Sequence, residues 1–271
     1  MISYTKAFLS IGLLSFVSSC DFGKLTFLAD IENNLKEVSA VEFIPQSNLF
    51  WAIEDAGNDN VLYGLDAKGN VVSEIIVQNS KNKDWEDLTS DKDGNIYIGD
   101  FGNNSKKRET FQIYKVDYTD LKSTSAEASV IEFKMPKGVK PKDFEAFFLY
   151  DKYFYLFSKS RKKGILIRVK NEIGQQNAEW ITTFKLSGKN NRITSADISN
   201  DGKTIVLLNH DKLWNLTNFE GNHFFEGTIE SVLFEHSSQK EGVCFKDNTT
   251  VIITDERKGS EGGNIYQFSL E

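Results

Sequence analysis

Two cysteines in 271 residues are too few for a disulfide framework. Three histidines rule against a histidine-rich zinc centre. Lysine and arginine number 32 against 39 aspartates and glutamates, a net charge of −7. A nucleic-acid polymer, which wants a basic face, is therefore not an expected partner. Three prolines and no low-complexity segment argue against a disordered linker. There is no clear nucleophile and no catalytic triad. The one long apolar run, Ala7 to Val17, is short for a membrane span.

Apolar strand-like material, by contrast, is plentiful. Runs such as Phe154-Tyr155-Leu156-Phe157 and Ile205-Val206-Leu207-Leu208 are short, β-rich and bounded by turn residues. Five segments open such runs in similar ways: Lys36-Glu37-Val38-Ser39-Ala40, Asp84-Trp85-Glu86-Asp87-Leu88, Asp143-Phe144-Glu145-Ala146, Ile193-Thr194-Ser195-Ala196-Asp197 and Lys240-Glu241-Gly242-Val243. Ser39, Glu86, Glu145, Ser195 and Glu241 are separated by 47, 59, 50 and 46 residues. That is the span of a four-stranded propeller blade, and each interval divides into four strands. The last unit has three, at Val243 to Phe245, Val251 to Thr254 and Asn264 to Phe268. Lys24 to Ile31 is the strand that completes it and removes the open edge. The expected fold is all-β: a five-bladed β-propeller whose last blade is closed by the N-terminal strand. A sixth blade finds no residues. Residues 101–110 and 119–128 are the most polar connections and are expected to be long surface loops. Asp91-Lys92-Asp93-Gly94-Asn95 loosely resembles a calcium loop but lacks flanking helices, and reads as a hairpin turn. Trp51 and Trp85 are expected to pack between blades.

The N-terminus adds a location. Lys6, the apolar run and Val17-Ser18-Ser19-Cys20 read as a bacterial lipoprotein signal over residues 1–19. An ordinary secretory signal or a membrane anchor is the alternative. Cleavage before Cys20 leaves a lipidated cysteine on a single propeller domain of residues 20–271, held at the cell envelope by its lipid alone, as a monomer. Cys244 then has no partner and is expected in the core.

In a propeller the inner strand of each blade lines the central channel. The turn between the second and third strands returns to the face where the first began. Ser39, Glu86, Glu145, Ser195 and Glu241 should thus converge with those turns. Three carboxylates in one channel repel unless a cation or protons compensate. An all-oxygen set suits Ca²⁺. The competing account has these acids capping strand starts. Around the rim, Lys159, Arg161, His210 and Arg257 could hold an anion above the metal, and Asp55 or Asp100 could orient a water. Together these suit attack on a phosphoester. Charged turns that are merely solvated give the same pattern.

The openings, with Asp84-Trp85-Glu86-Asp87-Leu88, Tyr97-Ile98-Gly99-Asp100-Phe101-Gly102-Asn103-Asn104 and Glu241-Gly242-Val243, resemble a group of secreted bacterial propeller lipoproteins. These are largely uncharacterised, and some carry phytase-like or esterase-like labels. More distantly, the chain is similar to the calcium-activated nucleotidases (apyrases), five-bladed propellers whose channel calcium is held by a ring ordered Ser, Glu, Glu, Ser, Glu. Ser39, Glu86, Glu145, Ser195 and Glu241 stand in that order, and Glu37 precedes Ser39 as in that family. Glu54-Asp55-Ala56-Gly57 lacks the basic residue that family has after its acidic pair. The expectation is a lipid-anchored, calcium-binding propeller acting as a metal-dependent phosphoester or phosphoanhydride hydrolase on a small anionic ligand. The alternative is a binding module for a glycan, peptide or envelope partner, with structural Ca²⁺.

Overall fold

The computed structural model describes residues 22–271; the expected signal segment and Cys20 lie outside the described residues. Five antiparallel four-stranded units follow one another along the chain. Blade 1 comprises Val38–Ile44, Leu49–Glu54, Val61–Leu65 and Val71–Gln78; blade 2, Trp85–Ser90, Ile96–Asp100, Thr110–Val116 and Ser129–Lys134. Blade 3 comprises Phe144–Tyr150, Tyr153–Ser158, Gly164–Lys170 and Glu179–Phe184; blade 4, Ser195–Ile198, Ile205–Leu208, Lys212–Thr217 and Thr228–Leu233. Blade 5 takes Lys240–Phe245, Thr250–Asp255 and Asn264–Ser269, and the N-terminal Thr26–Asp30 pairs antiparallel with the last of these. Backbone bonds Lys24 N to Phe234 O (2.8 Å) and Ile31 N to Gly263 O (2.7 Å) fix that strand at both ends. The fold is the expected all-β five-bladed propeller, closed by its N-terminal strand.

The inner strands pack in a ring, each against the next and the fifth against the first. The core is correspondingly divided into interblade layers. Trp51 and Trp85 lie in the layer between blades 1 and 2; Phe101, Phe147 and Phe154 in that between 2 and 3. Val38, Val41, Cys244 and Ile252 close the ring between blades 5 and 1. Each large apolar side chain buried there contributes about 1.5–3 kcal/mol.

The polar stretches differ in part from expectation. Residues 101–109 connect strands, but Phe101 to Asn103 are buried and not at the surface, and Tyr118–Lys122 is a short 3-10 helix. Ser125–Glu127 runs parallel to the outer edge of blade 1. Gly174–Asn177 covers the edge of blade 2 in the same way. In both cases a segment from the following blade shields an outer edge, and such edges invite aggregation when bare. The Asp91 loop is a turn: Asp91 Oδ1 accepts from Asp93 N and Asn95 N, and Gly94 takes a positive φ of 84°.

Edge amides of the inner strands face the channel without strand partners, and side chains of other blades satisfy several. Asp87 Oδ2 accepts from Phe147 N (3.0 Å) and Ala196 N (3.2 Å), while Oδ1 accepts from Ser195 Oγ (2.9 Å) and Leu88 N (3.0 Å). Ser195 Oγ in turn accepts from Val243 N, and Asp197 Oδ2 from Phe245 N. Buried polar side chains thus tie blades 2, 3, 4 and 5 together through their backbones.

Candidate metal centre

One irregularity recurs at the start of the inner strands. A register shift falls between Val38 and Ala40, Trp85 and Asp87, Phe144 and Ala146, and Lys240 and Gly242. The extra residues are Ser39, Glu86, Glu145 and Glu241. A bulge re-aims a side chain and often sits beside a functional site. In blade 4 both Thr194 N and the Ser195 pairing meet Leu208. The position equivalent to the bulged residues is there Thr194, just ahead of the strand. Its hydroxyl donates to Lys240 O (2.9 Å), the residue before the next opening, just as Ser39 Oγ donates to Trp85 O (3.0 Å). The register therefore places Ser195 one step deeper, against Asp87.

The second-to-third turns meet this face as expected. Asp55 N, Gly102 N, Lys159 N and Glu256 N bond to the carbonyls of Glu37, Asp84, Asp143 and Gln239 respectively, each two residues before an opening. Three carboxylates converge there. Oxygens of Asp55, Asp84 and Glu86 all lie within 4.8 Å of one another, a group able to hold a metal ion. Gly102 passes beside them. A Cβ at that position would collide with Glu86 Oε1 and the Asp84 carboxylate. Asp55 and Asp84 are half-buried, while Glu86 is 7% exposed.

The electrostatics follow from this crowding. Burial, then Asp55 and Asp143, raise Asp84 to about 6. Burial, then Glu145, Asp55 and Asp84, push Glu86 well above the carboxylate range. Burial raises Glu145 to about 8, with Asp143 and Glu241 adding to it and Lys159 opposing. Burial, then Glu241, Asp55 and Glu37, bring Glu256 to about 7. A cation on Asp55, Asp84 and Glu86 would offset the repulsion among those three, and carboxylate oxygens are the donors of a hard ion.

The cations of the rim are mostly engaged. Lys159 ion-pairs with Glu145. Burial works against its charge, but Glu145, Glu241 and Glu86 hold its pKa above the ordinary value. His210 Nε2 lies 2.9 Å from Glu241 Oε1. Arg257 Nη2 donates to Ile31 O (2.6 Å) and Gly263 O (3.2 Å), stapling the closing strand. Arg161 is exposed and lies in a basic groove with Lys162 and Lys163. Asp100 is buried, its Oδ1 accepting from Asp84 N (3.1 Å) and Arg108 Nη1 (2.7 Å). Lys159 and His210 thus join the glutamates of the openings and Asp100 lies against Asp84, whereas Arg257 binds backbone carbonyls and Arg161 lies in the basic groove.

Sequence reasoning did not single out Asp84, Glu256, Thr194 or Arg108. For Asp84 a signal existed: Glu37 and Asp143 hold the same place, two residues before an opening. Arg108, bonded to Asp100 and lowering the pKa of Asp84, had none.

No family model matches the sequence, and no curated protein matches it. Among solved structures, the PQQ-bound form of aldose sugar dehydrogenase from Streptomyces coelicolor is similar at a TM-score of 0.55 and 10% identity, over 90% of this chain and 97% of that one. At that identity the likeness is one of fold. The chain is a five-bladed β-propeller with an acidic group at the channel mouth that could hold a metal ion.

Proposed function

We propose that this chain is a calcium-binding propeller of the bacterial cell envelope, lipid-anchored through Cys20, whose channel-mouth ion holds a small anionic ligand. The observation that carries the reading is the convergence of Asp55, Asp84 and Glu86 beside Gly102. Three carboxylates this close need a cation or protons, and their all-oxygen chemistry favours Ca²⁺. Glu145 and Glu241 stand behind them as further oxygen donors, and Lys159 supplies balancing charge.

A second reading is metal-dependent hydrolysis of a phosphoester or phosphoanhydride. It is favoured by the half-buried state of Asp55 and Asp84. An ion on them keeps solvent-facing positions, where it would polarise a phosphoryl oxygen or a water. Against it stands the engagement of Arg257 and Lys159, and the place of Arg161 in a basic groove with Lys162 and Lys163. Phosphate release from a panel of nucleotides and phosphoesters, with Ca²⁺ and with chelator, decides between the two. A melting curve is taken in each condition. Calcium-dependent turnover establishes the hydrolase. A calcium-dependent rise in melting temperature without turnover establishes the binding propeller. The absence of both effects overturns the metal reading.

A further inference from the structure

The opposite end of the channel carries a second group of carboxylates that the proposed site does not use. The hairpin turns joining first and second strands surround a bowl of about 640 Å³ on that face. Glu42 and Asp197 line it from the inner strands of blades 1 and 4. Of the charged side chains lining it, Lys92 is the only cation, against Asp91, Asp93, Asp151 and Asp201 at the turns. Asp93 and Asp151 are exposed there. A concave site lined by one sign of charge concentrates counter-ions.

Glu42 is what distinguishes this bowl from an ordinary acidic rim. It is only 6% exposed. One oxygen, Oε1, accepts from Ser90 Oγ at 2.7 Å, and the other, Oε2, is buried with no hydrogen-bond partner. Compare Asp87, one tier nearer the other face, whose two oxygens take four donors. Asp87 is accounted for by the backbone it binds; Glu42 is not. A buried carboxylate oxygen without a donor is costly, and such exceptions call for a missing partner. Asp197, the neighbouring acid, uses each oxygen once, on Ile198 N (2.8 Å) and Phe245 N (2.7 Å), and each keeps a lone pair.

We propose that the bowl is a second cation site, in which a hard divalent ion, Ca²⁺ by the donor chemistry, binds Glu42 Oε2 with Asp197 as second carboxylate and waters of the bowl completing the shell. The tier of Asp87 and Ser195 separates it from the channel mouth, so it does not depend on the site proposed there. A proton shared by Glu42 and Asp197 is the competing occupant.

Calcium stoichiometry, measured by calorimetry and equilibrium dialysis on the purified protein, tests this. Glu42→Gln keeps the acceptor for Ser90 and removes the charge. It should bind one calcium fewer than wild type, whereas Glu86→Gln should retain that calcium. An unchanged stoichiometry in Glu42→Gln, or no binding in a folded Glu86→Gln, overturns the proposal. Should Glu42→Gln fail to fold, Asp93→Lys with Asp151→Lys, both exposed, decides in the Glu86→Gln background. Reversing two rim charges should weaken the remaining site on the order of tenfold at low salt. Unaltered affinity there means the ion is not in the bowl.

Discussion

Removing calcium should make this protein lose stability as pH rises from about 5 to about 8, the reverse of ordinary acid denaturation. Glu145 shows why. In the fold its carboxyl sits at about 8, against an ordinary 4.5, because burial outweighs the ion pair with Lys159. Between those values the folded chain binds a proton that the unfolded chain has released. Stability therefore falls as pH rises through the window. The shift sets a ceiling of roughly 5 kcal/mol for this one buried group. Asp84 and Glu256, at about 6 and about 7, act in the same direction. Both are half-buried, so solvent screening leaves them a fraction of that effect. Lys159 stays charged across the window and does not alter the sign. For a domain of this size each kcal/mol moves the melting temperature by about 2–4 °C. A drop on the order of 10 °C from pH 5 to pH 8 is expected in chelator. Calcium at a hundredfold excess over Kd should restore about 2.7 kcal/mol at the high-pH end. It should also flatten the slope, since the ion takes the place of the protons. Differential scanning calorimetry in chelator and in calcium reads both effects. A melting temperature in chelator that is flat or rises between pH 5 and pH 8 refutes the reasoning, because the acids would then be ionised without a cation at no cost. Glu145→Gln should reduce the slope without abolishing it, since burial also raises Glu86 and brings Asp197 to about 7.

Three further outcomes follow from single contacts. Asp87→Ala strands donors of Ser195, Phe147 and Ala196 from two other blades, and should cost about 3–5 kcal/mol in urea unfolding, offset in part by the carboxylate no longer buried. Gly102→Ala places a methyl group against the Asp84 and Glu86 carboxylates. It should erase the calcium-dependent rise in melting temperature, while a retained rise would move the ion elsewhere. Lys159→Met removes the ammonium that competes with a cation for Glu145, Glu241 and Glu86. Calcium affinity should rise on the order of tenfold, and an unchanged Kd in titration calorimetry would show that Lys159 and the ion do not share these acids.

The repeat was legible because it is written in apolar alternation and turn residues, which local chemistry dictates. Blade count, strand order and N-terminal closure could all be read from it, but the inner strands begin earlier than expected, at Val38, Trp85, Phe144, Ser195 and Lys240. The added parallel strands could not. Ser125–Glu127 and Gly174–Asn177 are polar or small, and each is a strand only because the edge of the preceding blade offers backbone partners. The fourth ring position shows a finer limit. Thr194 and Ser195 are adjacent hydroxyl residues, and spacing alone fits either. The register of Ser195 against Leu208 decides which faces the channel mouth, and register belongs to the pairing of two strands, not to the composition of one.

Charge was the hardest property to read, for a related reason. A sequence counts lysines and arginines but does not show which of them are already bound. Arg257 reads as a rim cation, yet Ile31 O and Gly263 O occupy its Nη2, and the first is there as an acceptor only because the N-terminal strand closes blade 5. Arg108 sits in a polar loop with no motif, yet it is the guanidinium that balances Asp100 beside the acidic group. An anion clamp inferred from the number of rim cations therefore overestimates the positive charge open to a ligand. Once the engaged cations are set aside, the channel mouth is a place for a cation first, and any anion must arrive through that ion.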